Sequence, residues 1–232
     1  MNIVITGASK GIGFAIAKQF AEHGHNLYLT SKTPAALEQA VADLRSQFPL
    51  ITIEYFAADL SQKDNVLAFS KWCLQNTQPN ILINNAGNFV PGKLMDEVEG
   101  QLQHQLDTNL FSAYHLTRAL LPTMLTRKSG HIFNICSIAS LGAYENGGAY
   151  SISKFALLGF SKNLRLELKD KGIKVTAVCP GAVYTNSWSG SGVDPKRIME
   201  ASDIAKMIYA ASQLSPQAVV EDIVMRPQLG DL

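Results

Sequence analysis

A tyrosine and a lysine four positions apart, Tyr150 and Lys154, open one predicted helix of this chain. Apolar residues continue the helical period after them, so the two side chains are expected on one face of the helix. A phenol titrates near pH ~10, and a neighbouring cation lowers that value, which makes the pair a plausible acid and base unit near neutral pH. The alternative is an ordinary surface pair, since this spacing occurs in many helices.

A serine hydroxyl precedes this pair by thirteen residues. Ser137 follows the apolar run from His131 to Cys136, which is typical of a buried strand. At the end of such a strand the hydroxyl can bind a substrate oxygen beside the Tyr150 phenol. The alternative is a serine that only ends the strand.

The composition indicates an ordinary globular protein. The chain has 232 residues, of which 47% are hydrophobic and 17% are charged, and its net charge is +1. We therefore predict one domain over residues 1–232 with a full core. Because there is no basic or acidic run, nucleic acid and membrane surfaces are not expected as partners.

Other patterns bear on location and on metals. No apolar stretch approaches the ~20 residues that span a bilayer, and a strand begins at Asn2, which leaves no room for a signal peptide. The three cysteines, Cys73, Cys136 and Cys179, are scattered, and the five histidines show no ligand spacing. We expect a cytoplasmic protein without a metal site.

A glycine-rich turn, Thr6 to Gly13, separates the first predicted strand from the first predicted helix. Glycines let the backbone approach a pyrophosphate closely, and the N-terminus of the following helix offers free N–H groups to it. Strand, glycine turn and helix are therefore typical of a dinucleotide site, although the spacing is G-x-x-x-G-x-G. The alternative is a plain tight turn.

The residues after the second predicted strand favour one cofactor. An acidic residue at this point would bind the adenosine ribose of NAD, but the chain has Thr30, Ser31 and Lys32. No carboxylate is present there to repel a 2′-phosphate, and Lys32 and Lys10 can pair with one. The pattern predicts NADP(H) in preference to NAD(H), unless both lysines are merely solvated.

Strands alternate with helices along the chain. This predicts an α/β fold: a Rossmann-type, doubly wound parallel sheet of about seven strands with helices on both faces.

Asp59 is expected either to receive the adenine amino group or to cap a helix starting at Ser61. A long helix is predicted from 101 to 128, and Asn109 lies inside it, where asparagine is a poor helix former. Asn109 is either an ordinary surface residue or the site of a bend that frees a backbone carbonyl to bind a water. Residues 182–200 are predicted to form a short mobile substrate lid.

In their order these motifs resemble the short-chain dehydrogenase/reductase family, in its compact single-domain branch. The resemblance runs from about Asn2 to Thr185. It implies that Tyr150 transfers the proton, Ser137 holds the reacting oxygen, Lys154 binds the nicotinamide ribose and lowers the tyrosine pKa, and Asn109 anchors a water. The implied cofactor-binding residues are Gly7, Ser9, Lys10, Gly11, Ile12, Gly13, Ser31, Lys32, Asp59, Leu60, Asn85, Ala86, Gly87, Tyr150, Lys154, Pro180, Gly181, Val183 and Thr185.

The implied function is an NADP(H)-dependent carbonyl reductase or alcohol dehydrogenase with a small-molecule substrate. The alternatives are a sensor or scaffold protein that binds the cofactor without turnover, and a racemase or dehydratase on the same fold. A homodimer or a homotetramer is expected. The C-terminal sequence from Met225 departs from the Asp-Gly-Gly-type ending of many family members, which counts against the tetramer. Candidate substrate contacts are Asn88, Phe89, Tyr144, Glu145, Tyr184 and Trp188.

Overall fold

The computed structural model describes residues 1–185, 188 and 192–232. Within them the strands are β1 (Asn2–Thr6), β2 (Asn26–Thr30), β3 (Ile53–Tyr55), β4 (Ile81–Asn84), β5 (Gly130–Ile135), β6 (Ile173–Pro180), β7 (Val183–Tyr184), β8 (Met199–Glu200) and β9 (Asp222–Met225). The α-helices are α1 (Gly11–Glu22), α2 (Pro34–Gln47), α3 (Lys63–Asn76), α4 (Gln101–Leu106), α5 (Ser112–Arg127), α6 (Gly148–Leu168) and α7 (Ala201–Ser212).

Seven of these strands form one parallel sheet, in the order β3-β2-β1-β4-β5-β6-β9. The predicted doubly wound α/β fold is confirmed. Because the chain crosses from β3 back to β4 beside β1, the strand order reverses there. This reversal opens a crevice at the carboxyl ends of β1 and β4, where ligands bind in folds of this type.

The sheet is buried on both faces. In β1, Ile3 and Ile5 pack into the cluster that includes α1, α2 and α7, whereas Val4 packs into the cluster that includes α3, α5 and the end of α6. All three side chains are fully buried. This explains why the strands read as continuous apolar runs rather than as alternating patterns.

The long helix predicted from 101 to 128 is wrong as one regular element. A π-helical segment, Asp107–Phe111, separates α4 from α5, and the N–H of Ser112 donates to the carbonyl of Asp107. Asn109 lies at the centre of this segment and is 1% exposed. Asn109 is therefore buried at an interruption of the regular helix, so the surface alternative is wrong, and the freed carbonyl stays a prediction.

Two further differences concern short elements. The helix after Asp59 begins at Lys63 with Gln62 as its N-cap, so the prediction that Asp59 caps a helix starting at Ser61 is wrong. Asp59 instead accepts hydrogen bonds from the backbone and hydroxyl of Ser61, 3.1 and 2.8 Å away. Strands β7 and β8, which no pattern predicted, pair in parallel within the predicted lid. Five residues of that lid lie outside the described residues: Asn186, Ser187, Ser189, Gly190 and Ser191.

Among the described helices, none has the length and the apolar character needed to cross a bilayer.

Candidate active site

A cavity of about 810 Å³ opens at the carboxyl ends of the central strands. Both regions singled out in the sequence, the glycine turn and the Tyr150 helix, contribute to its wall. The predicted site residues that line it are Gly7, Ser9, Lys10, Gly11, Ile12, Ser31, Asn85, Gly87, Ser137, Tyr150, Lys154, Pro180, Gly181, Val183 and Thr185. Those outside its lining are Gly13, Lys32, Asp59, Leu60, Ala86 and Asn109.

The glycine turn packs against the residues that follow β4. Gly7 has a φ of +64°, and a Cβ on Gly13 would lie less than 3.0 Å from the carbonyl oxygen of Gly7 and from the side-chain nitrogen of Asn85. That nitrogen donates to the carbonyls of Thr6 and Gly7, at 2.9 and 3.1 Å. Asn85 therefore fixes the shape of the turn, and Gly13 serves packing behind it rather than the cavity wall.

The same turn leaves the start of α1 open to the cavity. Lys10 is the N-cap, and its side chain makes no capping hydrogen bond. The next residue, Gly11, has a φ of +57°, and Thr185 lies 3.2 Å from where its Cβ would stand. Free N–H groups at a helix N-terminus suit a phosphate, so this part of the cavity fits a dinucleotide.

The two lysines predicted to bind a 2′-phosphate lie in different surroundings. Lys10 lines the cavity together with Ser31, whose hydroxyl is 2.8 Å from that of Ser9. Lys32 is instead paired with Asp59, with 2.9 Å between Nζ and Oδ2. Of these two lysines, therefore, only Lys10 lines the cavity.

Tyr150 and Lys154 share the face of α6 that turns toward the cavity. The Lys154 ammonium lies 5.8 Å from the centroid of the Tyr150 ring and donates to the carbonyl of Ile135 at 2.8 Å. Lys154 is only 5% exposed, and no described carboxylate lies within 4.0 Å of it. A buried ammonium is costly without partners, and because Lys154 lines the cavity, its two remaining N–H donors are available to a ligand there.

The Ser137 hydroxyl lines the cavity at the end of β5. It accepts a hydrogen bond from the N–H of Ala139 at 3.1 Å, and its own proton has only a long contact, 3.5 Å, with the carbonyl of Pro180. The serine is fixed by this local cap and by the Ser140 hydroxyl, which accepts from its N–H. Its proton is therefore easily redirected toward a ligand oxygen.

The Asn109 side chain is engaged behind the cavity. Its oxygen accepts from the N–H of Asn88 at 2.9 Å, and its nitrogen donates to the carbonyl of Asn88, to Gln105 and to Ser153, at 3.1, 2.8 and 2.9 Å. These contacts tie the loop after β4 to α4 and α6. The predicted role of Asn109 in anchoring a water stays a prediction.

Aromatic side chains form the outer part of the cavity. The rings of Phe89 and Tyr150 meet edge to face, with 4.8 Å between centroids. Burial, followed by the neighbouring Tyr150 phenol, raises the pKa of Tyr144 to about 12, so its hydroxyl remains protonated at neutral pH. Of the candidate substrate contacts, Asn88, Phe89, Tyr144 and Trp188 line this cavity, whereas Glu145 and Tyr184 do not.

Sequence reasoning missed the segment after β9. Arg226 and Asp231 line the cavity and form an ion pair. The segment lies close to Gly181, where an added Cβ would stand 3.2 Å from the Asp231 carboxylate and 3.2 Å from Pro227. Arg197 donates to the carbonyls of residues 229–231 and so holds this segment in place. No local sequence pattern predicts that this C-terminal segment lies against the cavity, because its position depends on contacts with residues distant in the sequence.

Comparison with known proteins agrees with this architecture. The sequence model of the family described as short chain dehydrogenase matches residues 1–194. Sepiapterin reductase of Chlorobaculum tepidum is 34% identical, with 99% of this chain and 97% of that protein covered. An alcohol dehydrogenase from the archaeon Thermococcus sibiricus, solved with 5-hydroxy-NADP, superposes with a TM-score of 0.89 at 25% identity, covering 98% of this chain and 96% of that one. A metagenomic short-chain oxidoreductase solved with NADP gives 0.84 at 29% identity, with 98% and 97% covered.

The chain therefore belongs to the short-chain dehydrogenase/reductase family. It is an NAD(P)-dependent oxidoreductase that acts on CH–OH and C=O groups of small molecules.

Proposed function

We propose that this protein is an NADP(H)-dependent reductase of ketones or aldehydes, or the corresponding alcohol dehydrogenase, in which Tyr150 transfers the proton. The observation that carries the proposal is the convergence of Ser137, Tyr150 and the buried Lys154 on one cavity, next to an uncapped helix N-terminus. A protein that only bound the cofactor would have no need of the two hydroxyls and the ammonium together.

The proposed chemistry assigns one task to each residue. The nicotinamide, when bound, supplies or accepts the hydride. As negative charge grows on the substrate oxygen, Ser137 and Tyr150 donate hydrogen bonds to it, and Tyr150 then gives its proton. Lys154 uses its free donors to hold the hydroxyl groups of the nicotinamide ribose and contributes positive charge beside the phenol.

The charged side chains near the expected position of the 2′-phosphate support the preference for NADP(H). Lys10 and Ser31 lie in the cavity wall, and the nearby carboxylate of Asp59 is neutralised by Lys32. A 2′-phosphate would therefore meet one free cation and no unpaired anion in this part of the described structure. The solved relatives with bound NADP or 5-hydroxy-NADP point the same way.

The proposed substrate is of small or medium size and partly polar. Phe89, Tyr144 and Trp188 provide apolar surface, while Asn88 and the Arg226–Asp231 pair provide hydrogen-bonding groups. The name of one relative, sepiapterin reductase, makes sepiapterin one candidate to test.

A direct assay tests the proposal. The purified protein is mixed with NADPH and a panel of carbonyl compounds that includes sepiapterin, and absorbance at the nicotinamide band is followed. Consumption of NADPH that requires both protein and carbonyl supports the proposal. Tight NADPH binding without consumption for any compound, in either direction of the reaction, would favour a sensor and overturn it.

A further inference from the structure

One carboxylate in the loop after β4 faces the protein rather than solvent. Residues 93–100 are all exposed except Glu97, which is half-buried. The apolar side chains around it point outward: Leu94, Met95 and Val98 are 64%, 85% and 74% exposed. The segment therefore turns one of its three acidic residues inward while its apolar side chains face outward, which is the reverse of the usual arrangement and indicates a specific partner.

That partner is the first turn of α6. Oε1 of Glu97 accepts a hydrogen bond from the N–H of Ala149 at 2.6 Å, across 52 positions of sequence. The N-cap of α6 is Gly147, which has no side chain to satisfy the first free N–H groups. An N-cap side chain normally accepts from the second or third helical residue, and Ala149 is the second. Glu97 thus supplies the missing cap from another part of the chain.

The charge of Glu97 suits this position. A carboxylate at a helix N-terminus interacts favourably with the positive end of the helix dipole. Within the described residues, no lysine, arginine or histidine nitrogen lies within 4.0 Å of it. The helix end is therefore its partner, rather than a salt bridge.

Gly148 and Gly92 allow the loop after β4 to approach the start of α6 closely. Gly148 has a φ of +42°, and a Cβ there would lie less than 3.0 Å from Oε1 of Glu97 and from the carbonyl of Gly92. The N–H of Gly92 donates in turn to the carbonyl of Asn146 at 3.0 Å. The loop after β4 is thereby attached to the residues on both sides of the helix start.

Two contacts connect the loop after β4 with Tyr150. Tyr150 directly follows Ala149, whose N–H Glu97 holds, and its ring contacts Phe89 of the same loop edge to face. We propose that Glu97 is a positioning residue, which caps α6 from the loop after β4 and so fixes the position of the Tyr150 phenol in the cavity. The inference rests on the proposed role of Tyr150 in proton transfer.

Substitution of Glu97 tests the inference, using the best carbonyl substrate of the panel. Glu97→Ala should lower kcat by about tenfold or more, because small displacements of a reacting group are costly, while the Kd for NADPH stays within about threefold. Glu97→Gln keeps an acceptor oxygen of the same reach and should restore kcat to within about threefold of the unmutated protein. Glu99→Ala, an exposed residue of the same loop, is the matched control and should leave kcat unchanged.

The split between kcat and Kd separates positioning from general stabilisation. Glu97→Ala should lower Tm by about 2–8 °C, so kcat is measured at a temperature where circular dichroism shows the variant fully folded. If the alanine variant does not fold, Glu97→Asp decides instead, since its carboxylate is one methylene short of Ala149 and should give a lower kcat with unchanged NADPH affinity.

Three results would overturn the inference: kcat of folded Glu97→Ala within twofold of the unmutated protein, a loss explained entirely by weaker NADPH binding, or no rescue by glutamine. The Tyr150→Phe variant shows which proposal has failed. If it is inactive while Glu97→Ala is fully active, only the positioning role is wrong. If Tyr150→Phe itself keeps normal turnover, the proposed function is wrong.

Discussion

The ammonium of Lys32 lies 2.9 Å from the Asp59 carboxylate and joins the end of β2 to the turn after β3. Partial burial raises the pKa of Asp59, but hydrogen bonds from Lys32 and Ser61 outweigh that effect, and the pKa lies below its ordinary value. The two side chains are 69% and 31% exposed, so the pair is worth at most about 1 kcal/mol. A phosphate can therefore recruit Lys32 from Asp59 at little cost.

The first prediction follows for the cofactor. Replacing Ser31 by Asp and Lys32 by Ala removes one cation, frees the Asp59 charge and adds a carboxylate that can bind the ribose hydroxyls, so preference should turn toward NAD(H). Each phosphate contact of this kind is worth roughly 1.5–3 kcal/mol. The measurement is the ratio of kcat/KM for NADPH over NADH. A ratio below one in the unmutated protein would show that Lys10 and Lys32 are ordinary solvated residues.

A second prediction concerns Lys154. Lys154→Met keeps most of the stem volume and removes the buried charge together with its bond to the carbonyl of Ile135. Both NADPH affinity and kcat should fall, because the donors proposed to hold the ribose and the positive charge beside the phenol are lost together. Isothermal titration with NADPH checks the first effect. An unchanged Kd would restrict Lys154 to an electrostatic role.

Most of the fold could be predicted from the sequence because its signals are local. Buried parallel strands give continuous apolar runs, as in β1, and a proline favours the first position of a helix, as Pro34 does in α2. The glycine turn and the Tyr150–Lys154 pair are equally local, since their residues are neighbours along one turn or one helix face.

The rest depends on distant contacts. The π-helical segment at Asn109 forms where its amide holds the backbone of Asn88, and Glu97 reaches Ala149 across the molecule. The pairing of Lys32 with Asp59 also joins residues that are distant in the sequence, and their role as cofactor ligands stays a prediction. Such contacts leave no periodic signal in the sequence.

A third prediction concerns proton transfer. Tyr150→Phe keeps the ring and its contact with Phe89 but removes the transferable proton, so turnover should fall by about a hundredfold or more while NADPH binding and fold are retained. Steady-state kinetics with the best substrate, together with the NADPH Kd, provides the measurement. Turnover near that of the unmutated protein would exclude Tyr150 as the acid and base.

A last prediction arises from a histidine outside the active site. His131 in β5 is 5% exposed and stacks on Phe133 with 3.9 Å between centroids. Its Nε2 lies 2.8 Å from the Thr176 hydroxyl, whose own proton is donated to the carbonyl of Val220 at 2.6 Å. The hydroxyl must therefore accept from Nε2–H, so Nε2 is the nitrogen that carries the proton when the ring is neutral, and among the described residues Nδ1 has no partner.

Burial, followed by the charge of Lys174, lowers the pKa of His131 from 6.5 to about 3. Between these values the unfolded chain binds one more proton than the folded one, so the free energy of unfolding falls by up to about 1.4 kcal/mol for each unit that the pH is lowered. In His131→Gln this contribution disappears, because glutamine can donate to Thr176 but does not titrate. Urea unfolding of both proteins at pH 7, 6, 5 and 4.5 should show a stability difference that shifts by about 2.5 kcal/mol in favour of the variant as the pH falls. Parallel stability curves would mean that His131 is protonated in the folded protein without penalty, and the assignment of a buried neutral ring would be wrong.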